Sequence, residues 1–116
     1  MNAAGSTGAD TLFAGTGADS IVAGSGNDTI IANTGALTAT GGAGSDLFVF
    51  LNGHAGGADF IQDFDSSDLV LLGGYGPNGI TSSVSGGGNT TLTLSDNTTI
   101  TFTGVSNLNL NQIVRT

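Results

Sequence analysis

Asp10, Asp19, Asp28 and Asp46 stand on a nine-residue lattice, and Leu37 holds the one lattice point without a carboxylate. Each aspartate closes a glycine-rich phrase: GSTGAD (5–10), AGTGAD (14–19), AGSGND (23–28) and GGAGSD (41–46). A carboxylate repeated behind a glycine-rich turn collects oxygen ligands for a hard cation. Calcium takes six to eight oxygens at ~2.3–2.6 Å in a flexible shell, whereas magnesium demands a strict octahedron and keeps its water. Aspartate also suits a turn that holds no metal. One such turn would favour that plain reading; four on a common lattice favour the ion.

The elements that must position these groups follow from the period, which decides the architecture. Residues 5–49 divide into five nonapeptides, GSTGADTLF, AGTGADSIV, AGSGNDTII, ANTGALTAT and GGAGSDLFV. Each pairs a glycine-rich turn with three residues of strand-favouring type, the middle one apolar: Leu12, Ile21, Ile30, Ala39, Phe48. Strand alternation points those five to one side. Nine residues are too few for a helix and a return, so the unit is turn plus short strand, with two units per coil. Residues eighteen apart then become vertical neighbours. Asp10, Asp28 and Asp46 stack on one side, Asp19 and Leu37 on the other. Parallel rungs lie ~4.8 Å apart, a spacing at which stacked carboxylates repel unless a cation intervenes. The expected fold is all-β: a parallel β-roll capped by a C-terminal antiparallel β region.

Composition narrows the function. All nine acidic residues are aspartate, Arg115 is the only base, and the formal charge is -8. Nucleic-acid binding needs several Lys or Arg against phosphates, and an anionic membrane surface needs the same; neither partner is expected. A hydrophobic fraction of 38% in periodic order separates the chain from an acidic disordered tail. Without cysteine there is no disulfide and no thiolate metal site. No stretch reads as a signal peptide or a membrane span, and the chain opens almost at once inside a repeat, as a module of a longer protein would. His54 has no cysteine, glutamate or second histidine to complete a zinc or catalytic constellation. It reads as a polar loop residue, and no catalytic residue is expected.

The phrase GGxGxDxUx, with U a large apolar residue, resembles the calcium-binding nonapeptide repeat of the RTX (hemolysin-type) family. GGAGSDLFV (41–49) matches every fixed position; the three other aspartate-bearing units replace one leading glycine by Ser or Ala. The segment 48–72, with Asp59–Phe64 at its centre, resembles the end of such repeat blocks in type I secreted proteins. In that family one turn supplies its second and fourth carbonyls plus its aspartate, and the turn two units on supplies its first and third carbonyls plus its own. The resemblance therefore implies several calcium ions. One is held by Ser6, Gly8, Asp10, Ala23, Ser25 and Asp28, and a second by Gly24, Gly26, Asp28, Gly41, Ala43 and Asp46. On the other side Gly15, Gly17, Asp19, Ala32 and Thr34 make a weak or water-completed site, because Leu37 replaces its sixth ligand. Asp59 and Asp63 are assigned to a further ion near the end of the block, while Asp65, Asp68 and Asp96 read as turn or cap residues.

The resemblance further implies a secreted, extracellular or cell-surface bacterial module (residues 5–63) followed by a β cap (64–116). The cap would carry a secretion signal over roughly residues 69–116. Its partners would be calcium, the upstream domains of the parent protein and a type I secretion ABC transporter. Two rival readings are a carbohydrate-binding module resembling alginate epimerase R-modules and a self-assembling surface-layer or adhesin module. In the second half, 69–72 reads as a buried strand, 90–94 and 98–104 as a hairpin, and 105–114 as a short helical turn. Phe13, Ile31 and Val49 form an outward apolar ladder, expected to be covered by the C-terminal half.

Overall fold

The computed structural model describes residues 2–4, 7–53 and 55–116; Ser6 and His54 lie outside the described residues. Among the described residues are twelve strands: β1 (Asn2–Ala4), β2 (Thr11–Phe13), β3 (Asp19–Val22), β4 (Thr29–Ile31), β5 (Leu37–Thr40), β6 (Leu47–Leu51), β7 (Ala58–Ile61), β8 (Leu69–Gly73), β9 (Ile80–Gly86), β10 (Asn89–Leu94), β11 (Thr99–Phe102) and β12 (Ile113–Arg115). A single 3-10 turn, Leu110–Gln112, precedes β12. Strands β1 to β8 alternate between two sheets, ordered β1-β3-β5-β7-β11-β10-β9 and β12-β8-β6-β4-β2. The result is a solenoid-like stack of mixed parallel and antiparallel sheets.

The coil length is read from the register. Thr11 lies beside Thr29 and Thr29 beside Leu47, while Asp19 lies beside Leu37, each a step of eighteen residues. Two nonapeptides therefore make one coil, as the lattice predicts. The step then lengthens to twenty-two: Leu47 lies beside Leu69, and Thr38 beside Phe60. The four additional residues fall between β6 and β7, where Asn52 and Gly53 form a turn. Inside the stack Ile21, Ile30, Ala39 and Phe48 are buried as the strand alternation demands, while Leu12, at the open end, is only partly buried.

The C-terminal half extends both sheets edgewise. Strand β11 joins β7 in parallel and β12 joins β8 in parallel, while β9, β10 and β11 form an antiparallel meander. The 90–104 hairpin is present, closed by Asn97 at φ 68, a left-handed position that Asn tolerates. One apolar core runs through both halves. Phe64 links them, its ring 6.1 Å from Phe48 and 4.9 Å from Phe102. Offset and edge-on ring pairs at such separations add to the area they bury. Gln112 ties the tail back by donating to the Asp65 and Asp68 carbonyls at 2.7 and 2.9 Å.

The apolar ladder departs from expectation. Phe13, Ile31, Val49, Leu71 and Val114 share one outward row, but the C-terminal half adds to the far edge of that row and does not lie over it. Phe13 stays 65% exposed, and Val49 is buried within its own sheet. The reason is topological: strands that pair with β7 and β8 must grow the sheets laterally. No helix among the described residues is long and apolar enough to cross a membrane.

Candidate metal centre

The coil brings Asp10, Asp28 and Asp46 into one file and links them rung by rung. Asp28 Oδ1 accepts the Asp10 N–H at 2.8 Å, and Asp46 Oδ1 accepts the Asp28 N–H at 2.9 Å. The strand below closes each rung, Thr29 N–H donating to the Asp10 carbonyl and Leu47 N–H to that of Asp28. One more residue continues the file: Asp68 Oδ1 accepts the Asp46 N–H at 3.0 Å. From sequence, Asp68 reads as a turn residue. The signal that finds it is the twenty-two-residue coil, since 46 and 68 differ by that step.

At Asp28 and Asp46 only one oxygen of the carboxylate is used, whereas at Asp68 the second accepts the Asp65 N–H at 3.0 Å. Asp28 and Asp46 are 1% and 2% exposed, and the Oδ2 atom of each is buried without a hydrogen-bond partner. A buried carboxylate oxygen without a partner is costly, and the chain holds one basic side chain, the exposed Arg115, to compensate nine aspartates. The polypeptide supplies no second basic side chain to balance this file.

Main-chain oxygens face the same stack. Gly26 and Gly44 pack over the Gly8 and Gly26 carbonyls, and Gly42 packs over the Gly24 carbonyl, so closely that a Cβ at any of the three would collide. Gly24, Gly26, Gly42 and Gly44 all have φ between 90° and 115°. Gly41 lies against Asp46 Oδ2, leaving no room for a side chain there. Ser25 and Ala43 form a bridge between the turns, and the Ala43 carbonyl accepts the Gly26 N–H at 3.0 Å. Ala23 is fully buried and donates its N–H to the Thr40 carbonyl. Apart from Ser6, the residues named for the first two ions are thus assembled on consecutive turns of one side.

The opposite side is built differently. Asp19 Oδ2 accepts the Gly15 N–H of its own turn at 2.5 Å, and the Asp19 N–H bonds to the Ala36 carbonyl. The Thr16 and Gly17 carbonyls crowd Gly35, Ala32 donates to the Val49 carbonyl, and the Thr34 N–H is taken by the Asn33 side chain. Gly15, Gly17 and Gly35 lack the positive φ of Gly24, Gly26, Gly42 and Gly44, as does Gly8 in the first turn of the Asp10 side. Leu37 is 2% exposed and belongs to the core, and its N–H donates to Asp59 Oδ1 at 2.9 Å. Asp59 and Asp63 do not meet. Asp59 lies within β7 and Asp63 two residues beyond its end; Asp59 accepts the Leu37 N–H and Asp63 the Gly41 and Gly42 N–H groups, at 2.9 and 2.7 Å, at the two ends of β5.

Burial also reshapes the acidity of these groups. It pushes Asp59 up to about 7, with Asp96 adding repulsion and the Leu37 N–H opposing, and it pushes Asp68 up to about 6. Both depart upward from 3.8, so over this interval the folded chain holds protons that the unfolded chain has released. The stability these two groups contribute to the cation-free protein is therefore present in acid and lost as pH rises through ~4 to ~7, while Asp19, Asp65 and Asp96, held below their ordinary value, act in the opposite sense. Circular dichroism in chelator checks this: more strand signal is expected at about pH 5 than at about pH 7.5, and saturating calcium is expected to remove the difference.

Among the described residues no three His, Cys, Asp or Glu side chains gather around one point. A site of two stacked carboxylates completed by main-chain carbonyls contains no such trio. Residues 4–36 match the model of the RTX calcium-binding nonapeptide repeat, in four copies. That repeat is a non-catalytic scaffold. The match leaves the fifth nonapeptide and all that follows outside it. A search of curated proteins gives no significant match. Among solved structures, the crystal structure of the extracellular lipase LipA from Serratia marcescens aligns with 95% of this chain at a TM-score of 0.58 and 23% identity. The chain spans 20% of that lipase's length. The solution structure of the AlgE6R3 subunit of the Azotobacter vinelandii mannuronan C5-epimerase aligns over 95% of this chain and 80% of its own, at a TM-score of 0.37 and 23% identity. The lipase likeness supports the solenoid-like fold.

Proposed function

We propose that the chain is a calcium-binding β-roll module of a larger exported protein, folding when it meets extracellular calcium and stabilising the protein that carries it. The observation that carries this reading is the file of buried carboxylates, Asp28 and Asp46, each with one oxygen lacking a partner, in a chain with a single basic residue. The cation would lie between consecutive turns. Asp10 and Asp28 with the Gly8, Ala23 and Ser25 carbonyls would hold one, and Asp28 and Asp46 with those of Gly24, Gly26, Gly41 and Ala43 the next. Asp46 and Asp68 repeat the same rung and extend the file. The side of Asp19 would bind weakly or not at all, since Leu37 belongs to the core.

The energetics give the module a switch. Glycine-rich turns lose much backbone entropy on ordering, and stacked carboxylates repel. Ion binding free energy becomes folding free energy in such a site. In a calcium-poor cytosol the chain would stay open and pass an export channel of type I; outside, calcium would fold it. Residues 5–63 would form the calcium module, and 64–116 the cap with the secretion signal. The test is a calcium titration followed by far-ultraviolet circular dichroism, with magnesium as control. Strand signal is expected to develop with calcium and to be absent in chelator at neutral pH. A chain fully folded in chelator and indifferent to calcium sinks the proposal.

A further inference from the structure

Strand β12 is held to the body by little apolar burial. It has three residues, pairs with β8 alone and forms the edge of its sheet. Of its side chains only Ile113 is buried, beside Val70, while Val114 and Arg115 are exposed. Next to it the Thr116 N–H donates to the Leu72 carbonyl at 3.1 Å, and the Thr116 carbonyl accepts the Gly76 N–H at 2.9 Å. A segment with one buried side chain and a few edge hydrogen bonds opens at a low cost in free energy. One further attachment can then decide whether it is docked.

Gln112 makes that attachment. Its side-chain amide donates to the Asp65 and Asp68 carbonyls at 2.7 and 2.9 Å, gripping both ends of the turn that leads into β8. The same turn is wired to the carboxylate file. Asp68 is 1% exposed; one of its oxygens accepts the Asp46 N–H and the other the Asp65 N–H, both at 3.0 Å. The Asp68 N–H closes the turn on the Asp65 carbonyl at 3.1 Å. Ser67 Oγ reaches the Gly44 carbonyl at 3.0 Å and the Asp65 carboxylate at 2.6 Å. The two carbonyls that Gln112 needs are therefore presented by the residues that continue the file beneath Asp46.

We propose that Gln112 is a latch through which cation occupancy of the file controls the docking of residues 109–116. It rests on the calcium reading of that file. Without the ion, the Asp46 and Asp68 carboxylates repel one rung apart, the turn loosens, its two carbonyls leave the spacing that one amide can bridge, and β12 comes away. With the ion, the turn is fixed and β12 adds to β8. Such coupling is reciprocal: the docked segment raises the calcium affinity of the Asp46–Asp68 rung by the factor by which the ion favours docking. The segment lies within residues 69–116, proposed to carry the export signal. That signal would be open to a protein partner where calcium is scarce and drawn into a sheet where it is abundant.

Hydrogen exchange of the full chain at neutral pH, read by mass spectrometry across a calcium series, compares residues 113–116 with the coils at 11–40. Calcium is expected to protect both. Gln112→Met, of similar length without a donor, is expected to speed exchange at 113–116 in saturating calcium ~5- to 30-fold, the loss of two ordinary hydrogen bonds, while the coils stay protected. In that variant the calcium midpoint read at 65–72 is expected to rise by up to the same factor and that read at 11–31 to hold, a shift that a merely structural glutamine would not produce. Asp68→Asn, which leaves Gln112 in place, is expected to release 113–116 as well. Protection of 113–116 in chelator, or in calcium in both variants while the coils still respond, overturns the latch and leaves the calcium module standing. Coils protected equally in chelator and in calcium remove the calcium reading, and the switch with it.

Discussion

Asp28→Asn is expected to lower calcium affinity far more than Asp19→Asn. Asp28 is shared by two consecutive rungs: its Oδ1 takes the Asp10 N–H, and its own N–H is held by Asp46 Oδ1. In the proposed arrangement its carboxylate contributes to two ions. The asparagine keeps an oxygen for the Asp10 N–H, so the hydrogen bond survives and the lost charge is isolated. Each of the two sites is expected to weaken by ~10- to 100-fold or more, taking the cost of disturbing a metal's supporting groups as a floor. Asp19 folds onto Gly15 of its own turn and faces the side interrupted by Leu37. Its replacement is expected to leave the calcium titration within about a factor of three, well inside the ~10-fold floor for a supporting group. Isothermal titration and calcium-dependent circular dichroism on the two variants check the ranking. Equal losses would refute the division into a strong and a weak side.

Gly42→Ala is the largest expected change in stability. Gly42 has φ 90°, and a Cβ there would strike the Gly24 carbonyl oxygen. A left-handed backbone position costs a residue with a side chain ~1–3 kcal/mol, and forcing atoms into a packed contact costs ~1–3 more. The sum, roughly 2–6 kcal/mol, compares with a total of ~5–15 for a native domain. It also displaces a carbonyl from the proposed ion site. Gly17→Ala is the control: it is a turn glycine of the opposite side, where a Cβ meets nothing within 4 Å and φ is not in the left-handed range. That variant is expected to stay within about 0.5 kcal/mol of the parent. Denaturant unfolding at saturating calcium measures both.

These contrasts mark where sequence reading reached and where it stopped. The period of nine, the coil of eighteen and the burial of Ile21, Ile30 and Phe48 were legible, because a repeat of turn and strand has few ways to hide its apolar side. The same lattice placed Asp10, Asp28 and Asp46 in one file. Leu37 was legible as a missing carboxylate, but its place in the core was not, since that depends on what packs beneath it. Asp68 escaped because the coil beneath β6 is four residues longer, and loop residues such as Asn52 and Gly53 carry no period to count. Asp59 and Asp63 looked like a pair in sequence and stand at the two ends of β5.

What the sequence determined by itself is therefore local and repetitive: glycine turns, strand alternation and a carboxylate every ninth residue, all set by short-range sterics and by the distance between rungs. Only the tertiary structure decided which turns adopt the positive-φ geometry, which aspartate follows Asp46, and that Asp59 takes the Leu37 N–H. Those outcomes depend on pairing between strands distant in the chain, where register is chosen by the burial of a whole sheet face and no single residue type announces its partner.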